Sequence, residues 1–142
     1  AHGGAMLIRN AGNPVSGPED ATLRYGSNTG NTTRNAQILR ENMEKARVQA
    51  PPGYEAHHIV PSTHKDMRAA REILKKWGID INDAENGVFL PKSIHDGLAN
   101  DSTYMKAVVD DLSHATSRDE AIDILERIGQ KLLDGTYPRN AR

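Results

Sequence analysis

Six histidines and no cysteine confine any metal site in this chain to imidazole, carboxylate and water ligands. Four of the histidines, His57, His58, His64 and His95, cluster around two short β-compatible runs and the helical stretch that follows them. Imidazole is the side chain that both binds metals readily and titrates near neutral pH. His57 and His58 are adjacent in a run, Tyr54 to Val60, that reads as a strand closed by Pro61. Neighbouring strand residues face opposite ways, so the two histidines cannot do the same job. His95 opens a helical stretch in which the position one turn on, on the same face, is Ala99. One strand histidine with two such helical positions would make a three-ligand site with open coordination positions, as catalytic metals require. A His-His pair alone is a weak signal. His64 is expected in a loop or as a helix cap, and His2 and His114 on the solvated surface.

The elements that must position these residues are legible from spacing. Thr32 or Thr33 can cap a helix in which Ala36, Leu39, Met43 and Ala46 recur, stopped by Pro51-Pro52-Gly53. Met67, Ala70, Ile73, Leu74 and Trp77 form the stripe of a second helix with Gly78 as its stop. Ile79–Asp83 and Gly87–Leu90 flank a polar turn, and Pro91 closes a second strand. Met105, Val108, Val109 and Leu112 continue the helical pattern begun at His95. Ser117-Arg118-Asp119-Glu120 is a capping-box signature ahead of a last helix ended by Gly135 and Pro138. The sum is one α+β domain, mostly helical, with a very small sheet. Residues 1–30 hold six of the twelve glycines, a composition that reads as a linker or arm from a longer protein, with the folded domain over 31–142.

The 142 residues carry 18 Lys+Arg against 19 Asp+Glu, a net charge of -1, which predicts no overall attraction to nucleic acid. The average hides an asymmetry. Between Ala56 and Lys76 five basic residues face two acidic ones, whereas between Asp101 and Glu126 seven acidic residues face two basic ones. Lys65, Arg68, Arg71, Lys75, Lys76 and Lys92 are candidates for phosphate contacts, with Lys65, Arg68 and Lys92 foremost; a solvated helix face is the plainer reading of about half of such charges. The acidic C-terminal helices would repel nucleic acid and suit solvent or a protein partner. No apolar run approaches the roughly 20 residues of a membrane span, so no membrane insertion is expected.

The segments Glu55-Ala56-His57-His58-Ile59-Val60-Pro61, Trp77-Gly78-Ile79-Asp80-Ile81-Asn82, Asn86-Gly87-Val88-Phe89-Leu90-Pro91 and His95-Asp96-Gly97-Leu98, with Tyr104, resemble in order and spacing the AHH family of the HNH/endonuclease VII nuclease superfamily. The resemblance spans about Asn35 to Pro138. It implies a small ββα-metal, HNH-like finger that hydrolyses phosphodiester bonds with one divalent ion, magnesium or zinc. It also implies the C-terminal domain of an antibacterial toxin acting on DNA. Such domains are exported on a larger carrier by a secretion system, act in the cytoplasm of the target cell and are neutralised by a cognate immunity protein. Carried over by position, His57 resembles a metal ligand and His58 the general base. Asn86 resembles the Asn that holds the finger's loop and orients the base, and His95 the first helical metal ligand. Glu55 is a candidate outer partner of a ligating imidazole, and Tyr104 is expected to pack the finger. The family usually has a second helical histidine where this chain has Ala99. Alanine offers no donor atom, so the resemblance implies an impaired nuclease, and the favoured reading is that a histidine was replaced to disable it. Asp101 is too far from one turn beyond His95 to substitute. Two alternatives stay open: an RNase of the same fold, and a non-catalytic module that binds nucleic acid or protein.

Overall fold

The computed structural model describes residues 25–140. Within them run five α-helices, α1 (Thr32–Lys45), α2 (Arg68–Lys76), α3 (Lys92–Leu98), α4 (Ser102–Leu112) and α5 (Arg118–Asp134), and two strands, β1 (Tyr54–His58) and β2 (Gly87–Pro91). The strands pair antiparallel, with Ala56 opposite Phe89 and His58 opposite Gly87. The molecule is therefore α+β, mostly helical around a two-stranded sheet, as the periodicity implies.

Strand alternation assigns the two faces of the sheet. Ala56 and Phe89 turn to α1 and are buried with Leu39, Met43 and Ala46. Gly87 permits this close approach, because a Cβ there would stand 2.6 Å from Met43 Sδ and 2.8 Å from Leu39 Cδ1. The larger core joins Ile59, Val60 and Leu90 to the apolar stripes of α2, α4 and α5, including Leu74, Val108, Leu112, Leu125 and Ile128. The sheet is thus held between α1 and the other helices, and burial of the helical stripes is the main stabilising term.

Several local expectations are corrected. α1 is capped by Asn31, whose side chain accepts from Arg34 N, and not by Thr32 or Thr33. β1 runs to His58; Ile59 N still donates to Asn86 O (2.8 Å) in the same register, and the pairing stops where Val60 N turns to the Asn86 side chain, Oδ1 at 3.0 Å. Ile79–Asp83 is not extended. The carboxylate of Asp80 accepts from Asn82 N and that of Asp83 from Asp80 N, and such side-chain bonds to nearby backbone favour turns over ladders. α3 begins at Lys92, so His95 lies within it instead of opening it. Ser117 does cap α5, accepting from Glu120 N.

Most of the expected N-terminal arm, residues 1–24, lies outside the described residues. Its last part, Tyr25 to Gly30, is bonded to the domain. Ser27 donates to the carboxylate of Asp80 from its backbone N (2.7 Å) and its Oγ (3.0 Å), and Asn28 Nδ2 donates to Ser62 O (2.8 Å). Gly26 has φ +65, and a Cβ on it would collide with Asp80 Oδ2, so this contact depends on glycine.

A candidate metal and catalytic centre

The adjacent histidines of β1 separate onto the two faces of the sheet. His57, 6% exposed, faces α3 and α4 and meets Tyr104; His58 faces the α1 side and meets Asn82. His57 and His95 stand edge to face, with ring centroids 5.2 Å apart. His57, His58, His95 and Ala99 line one open cleft of about 690 Å³, whose other wall is formed by Thr32, Thr33, Gln37 and Arg40 of α1. Ala99 follows α3 with helical φ and ψ (−55°, −35°), which keeps it one turn beyond His95 on the same face.

The partners of two rings fix their tautomers. The Tyr104 hydroxyl donates to Ile59 O at 2.6 Å, which uses its only proton, and it lies 2.9 Å from His57 Nε2. It can only accept there, so His57 carries its proton on Nε2 and keeps a lone pair on Nδ1. Burial of the phenol raises the Tyr104 pKa and keeps that hydroxyl protonated. Glu55 Oε1 lies 2.6 Å from His95 Nδ1; a carboxylate accepts, so His95 presents Nε2. Burial, reinforced by the nearby His95 and His58, holds the His57 pKa well below the imidazole range. His58 is pushed down to about 4, mainly by burial, against the opposing effect of its bond to Asn82. Both rings are therefore neutral at pH 7, the form in which imidazole ligates metal or accepts a proton.

These residues fit a divalent ion. Ligating imidazoles characteristically hand their other N–H to an outer acceptor, and Tyr104 and Glu55 occupy those positions. A second grouping, Glu55, His95 and Asp96, brings potential donor atoms within 4.8 Å of one another. That set would draw on the carboxylate already bonded to His95, and on Asp96, which pairs with Lys92 at 3.0 Å. The pair His57 and His95 requires neither bond to break.

Asn86 is fully buried and ties the segment after β1 to the connection between α2 and β2, accepting from Val60 N and donating to Val60 O (3.1 Å) and Ile81 O (2.9 Å). Its expected second task falls elsewhere: the bond to His58 is made by Asn82 Oδ1, at 2.7 Å. Sequence reasoning alone does not single out Asn82, although it closes the family-like segment Trp77 to Asn82. Asp101 is committed as the cap of α4, accepting from Tyr104 N and Asn140 N, and takes no part in the cleft lining. His64 caps the 3₁₀ turn Lys65–Met67, accepting from Asp66 N, and also lines the cleft. His114 is exposed and bonds Asp110 O, away from the cleft; His2 lies outside the described residues.

Among the basic candidates, Lys65, in the 3₁₀ turn before α2, and Arg68, the first residue of α2, are exposed, and Lys92 is exposed and paired with Asp96. Arg71 is corrected from a phosphate contact to a buried structural group that donates to Pro61 O at 2.9 Å. Arg40, not singled out from the sequence, lines the cleft and lies over the Phe89 ring at 5.4 Å.

Among the described residues no helix is long and apolar enough to cross a membrane. Neither the curated proteins nor the solved structures contain a match to this chain. A family model does match, over residues 38–132, a stretch that contains Ala56-His57-His58, Asn82, Asn86, His95, Ala99 and Tyr104. The chain belongs to AHH, a nuclease family of the HNH/ENDO VII superfamily with a conserved AHH.

Proposed function

We propose that this domain is a divalent-metal-dependent DNA endonuclease, built as an antibacterial toxin, and that Ala99 leaves the present chain impaired. The observation that carries the reading is the cleft itself. His57 and His95 each have an outer partner on one ring nitrogen and a lone pair on the other, and the neutral His58 stands beside them.

His57 Nδ1 and His95 Nε2 would hold the ion, with the position of Ala99 placed for a third imidazole. A divalent ion there supplies charge stabilisation at the scissile phosphate and the leaving 3′-oxygen. His58 takes a proton from the water that attacks phosphorus, while the bond from phosphorus to the 3′-oxygen breaks and that oxygen leaves as a hydroxyl after protonation by solvent. Tyr104 and Glu55 fix the planes of the two ligand rings, and Asn86 fixes the loops that carry β1 and β2. Lys65, Arg68 and Lys92 supply phosphate contacts without base readout. Export on a larger carrier, action in the target cell's cytoplasm and capture by an immunity protein rest on the family resemblance, and the acidic surface of α4 and α5 suits a protein partner.

The test uses Ala99→His, with His58→Ala added in a second variant, on double-stranded DNA and on RNA with magnesium or zinc. Metal-dependent cutting of DNA by Ala99→His, lowered about 10²- to 10⁴-fold by His58→Ala, supports the reading. Cutting of RNA alone moves the substrate to RNA, and undiminished cutting without His58 removes it as the base.

A further inference from the structure

Three amides in a row connect the segment before α1 to His58. Asn28 Oδ1 accepts from Gly30 N (3.0 Å) and from Asn35 Nδ2 (2.9 Å). Asn35 Oδ1 accepts from Thr29 N (2.9 Å) and from Asn82 Nδ2 (3.3 Å). Asn82 Nδ2 also donates to Ser27 O (3.2 Å) and Ser27 Oγ (3.0 Å). A backbone N–H can only donate and a backbone carbonyl can only accept. Gly30 N, Thr29 N and Ser27 O therefore fix which end of each amide is oxygen and which is nitrogen. The last amide in the row presents Oδ1 to His58 Nε2, and an amide oxygen can only accept.

We propose that Asn82 is a positioning residue for His58: held by Ser27 and Asn35, it keeps the His58 proton on Nε2 and makes Nδ1 the atom that takes the proton from water. The proposal rests on the nuclease reading of His58 and adds to it the atom, the partner and the origin of the orientation. It also enlarges the working unit. Ser27, Asn28 and Asn35 all precede the family match at residue 38, so a domain trimmed to the matched residues would lose the groups that set its base. Asn82 has no access to solvent, which protects its amide bonds from competition by water.

The experiment is ¹⁵N NMR of the histidine rings in the chain as it stands, without metal, together with Asn82→Ala and Ser27→Ala. In the unmodified chain His58 is expected with protonated Nε2, bare Nδ1 and an Nε2–H that exchanges slowly enough to be seen. Asn82→Ala should abolish that protected N–H. Ser27→Ala, which removes one acceptor and leaves Asn82 in place, should speed its exchange and serves if Asn82→Ala does not fold. In the Ala99→His background, Asn82→Ala should lower kcat about 10- to 100-fold with KM little changed, less than loss of the base itself. A proton on Nδ1 of His58, or an Nε2–H indifferent to both substitutions, overturns the orientation; an unchanged kcat overturns the positioning role. Failure of Ala99→His to cut any nucleic acid would instead strike the nuclease reading, and the NMR result decides the orientation independently of it.

Discussion

Glu55 Oε1 and His95 Nδ1 are 2.6 Å apart, across the gap between β1 and α3. That bond leaves Nε2 as the ring nitrogen of His95 without the Glu55 partner and ties the helical histidine of the cleft to the strand that carries His57. Outer partners of ligating imidazoles typically contribute 10- to 100-fold in metal affinity or activity. Glu55→Ala in the Ala99→His background should weaken magnesium or zinc binding within that range, measured by calorimetry. Glu55→Gln, which retains an acceptor, should recover much of the loss. Equal affinity in all three proteins would show that Glu55 only borders the site.

Asn86 should be a stability residue more than an orienting one. Asn86→Ala strands Val60 N–H and two buried carbonyls, and each buried polar group left without a partner costs about 1–3 kcal/mol. Urea unfolding should show a loss of at least about 3 kcal/mol for this variant, while the protected Nε2–H of His58, held by Asn82, survives in the folded fraction.

Asp83 should lower stability as the solution becomes neutral. Burial, helped by the charges of Asp80 and Glu85, raises its carboxyl from 3.8 to about 7. A folded-state pKa above the unfolded one means that the folded protein holds the proton more tightly. The stability it contributes is complete below about pH 4 and is lost as pH rises through 7. Asp83→Asn keeps an oxygen for Asp80 N and cannot ionise. The variant should match the parent near pH 4 and exceed it by roughly 2–4 kcal/mol at pH 8, since a tenfold difference in proton affinity between the folded and unfolded states corresponds to about 1.4 kcal/mol. His57 and His58 act in the opposite sense: burial lowers both pKa values, so the stability they contribute is lost as pH falls below 6.5, for His58 toward about 4. The difference between variant and parent isolates Asp83 from that slope.

Lys65 and Arg68 should matter to binding, and Arg71 to folding. Each phosphate contact removed lowers the slope of log K against log salt by about 0.9 for duplex DNA. Lys65→Ala and Arg68→Ala should each reduce the slope by about that amount in a fluorescence binding assay on an uncleavable complex, with unfolding unchanged. Arg71→Ala should leave the slope intact and shift the unfolding midpoint, because its guanidinium is buried against Pro61 O.

The helices are readable from the sequence because their apolar spacing is long and regular, as in Ala121, Ile124, Leu125, Ile128 and Leu132, all buried. The opposed faces of His57 and His58 follow from strand alternation alone. The segment Ile79–Asp83 misleads because Ile79 and Ile81 alternate like a strand, whereas the decisive interactions are the bonds of Asp80 and Asp83 to their own backbone neighbourhood. Asn82 escapes notice for a similar reason. Its function depends on Ser27, 55 positions away, and on Asn35, 47 away, and no local pattern encodes such contacts. The glycine-rich composition before residue 30 suggests an arm, yet Ser27 and Asn28 reach Asp80 and Ser62 through bonds that composition does not report.

A three-imidazole nuclease site that is complete but for position 99 is tested most directly by incubating supercoiled plasmid with the present chain and with Ala99→His, each with magnesium, with zinc and with a chelator. Such a site predicts nicking and linearisation by Ala99→His only with metal, and little or none by the chain with alanine. Equal cutting by both proteins, or cutting by either that a chelator leaves untouched, would contradict it.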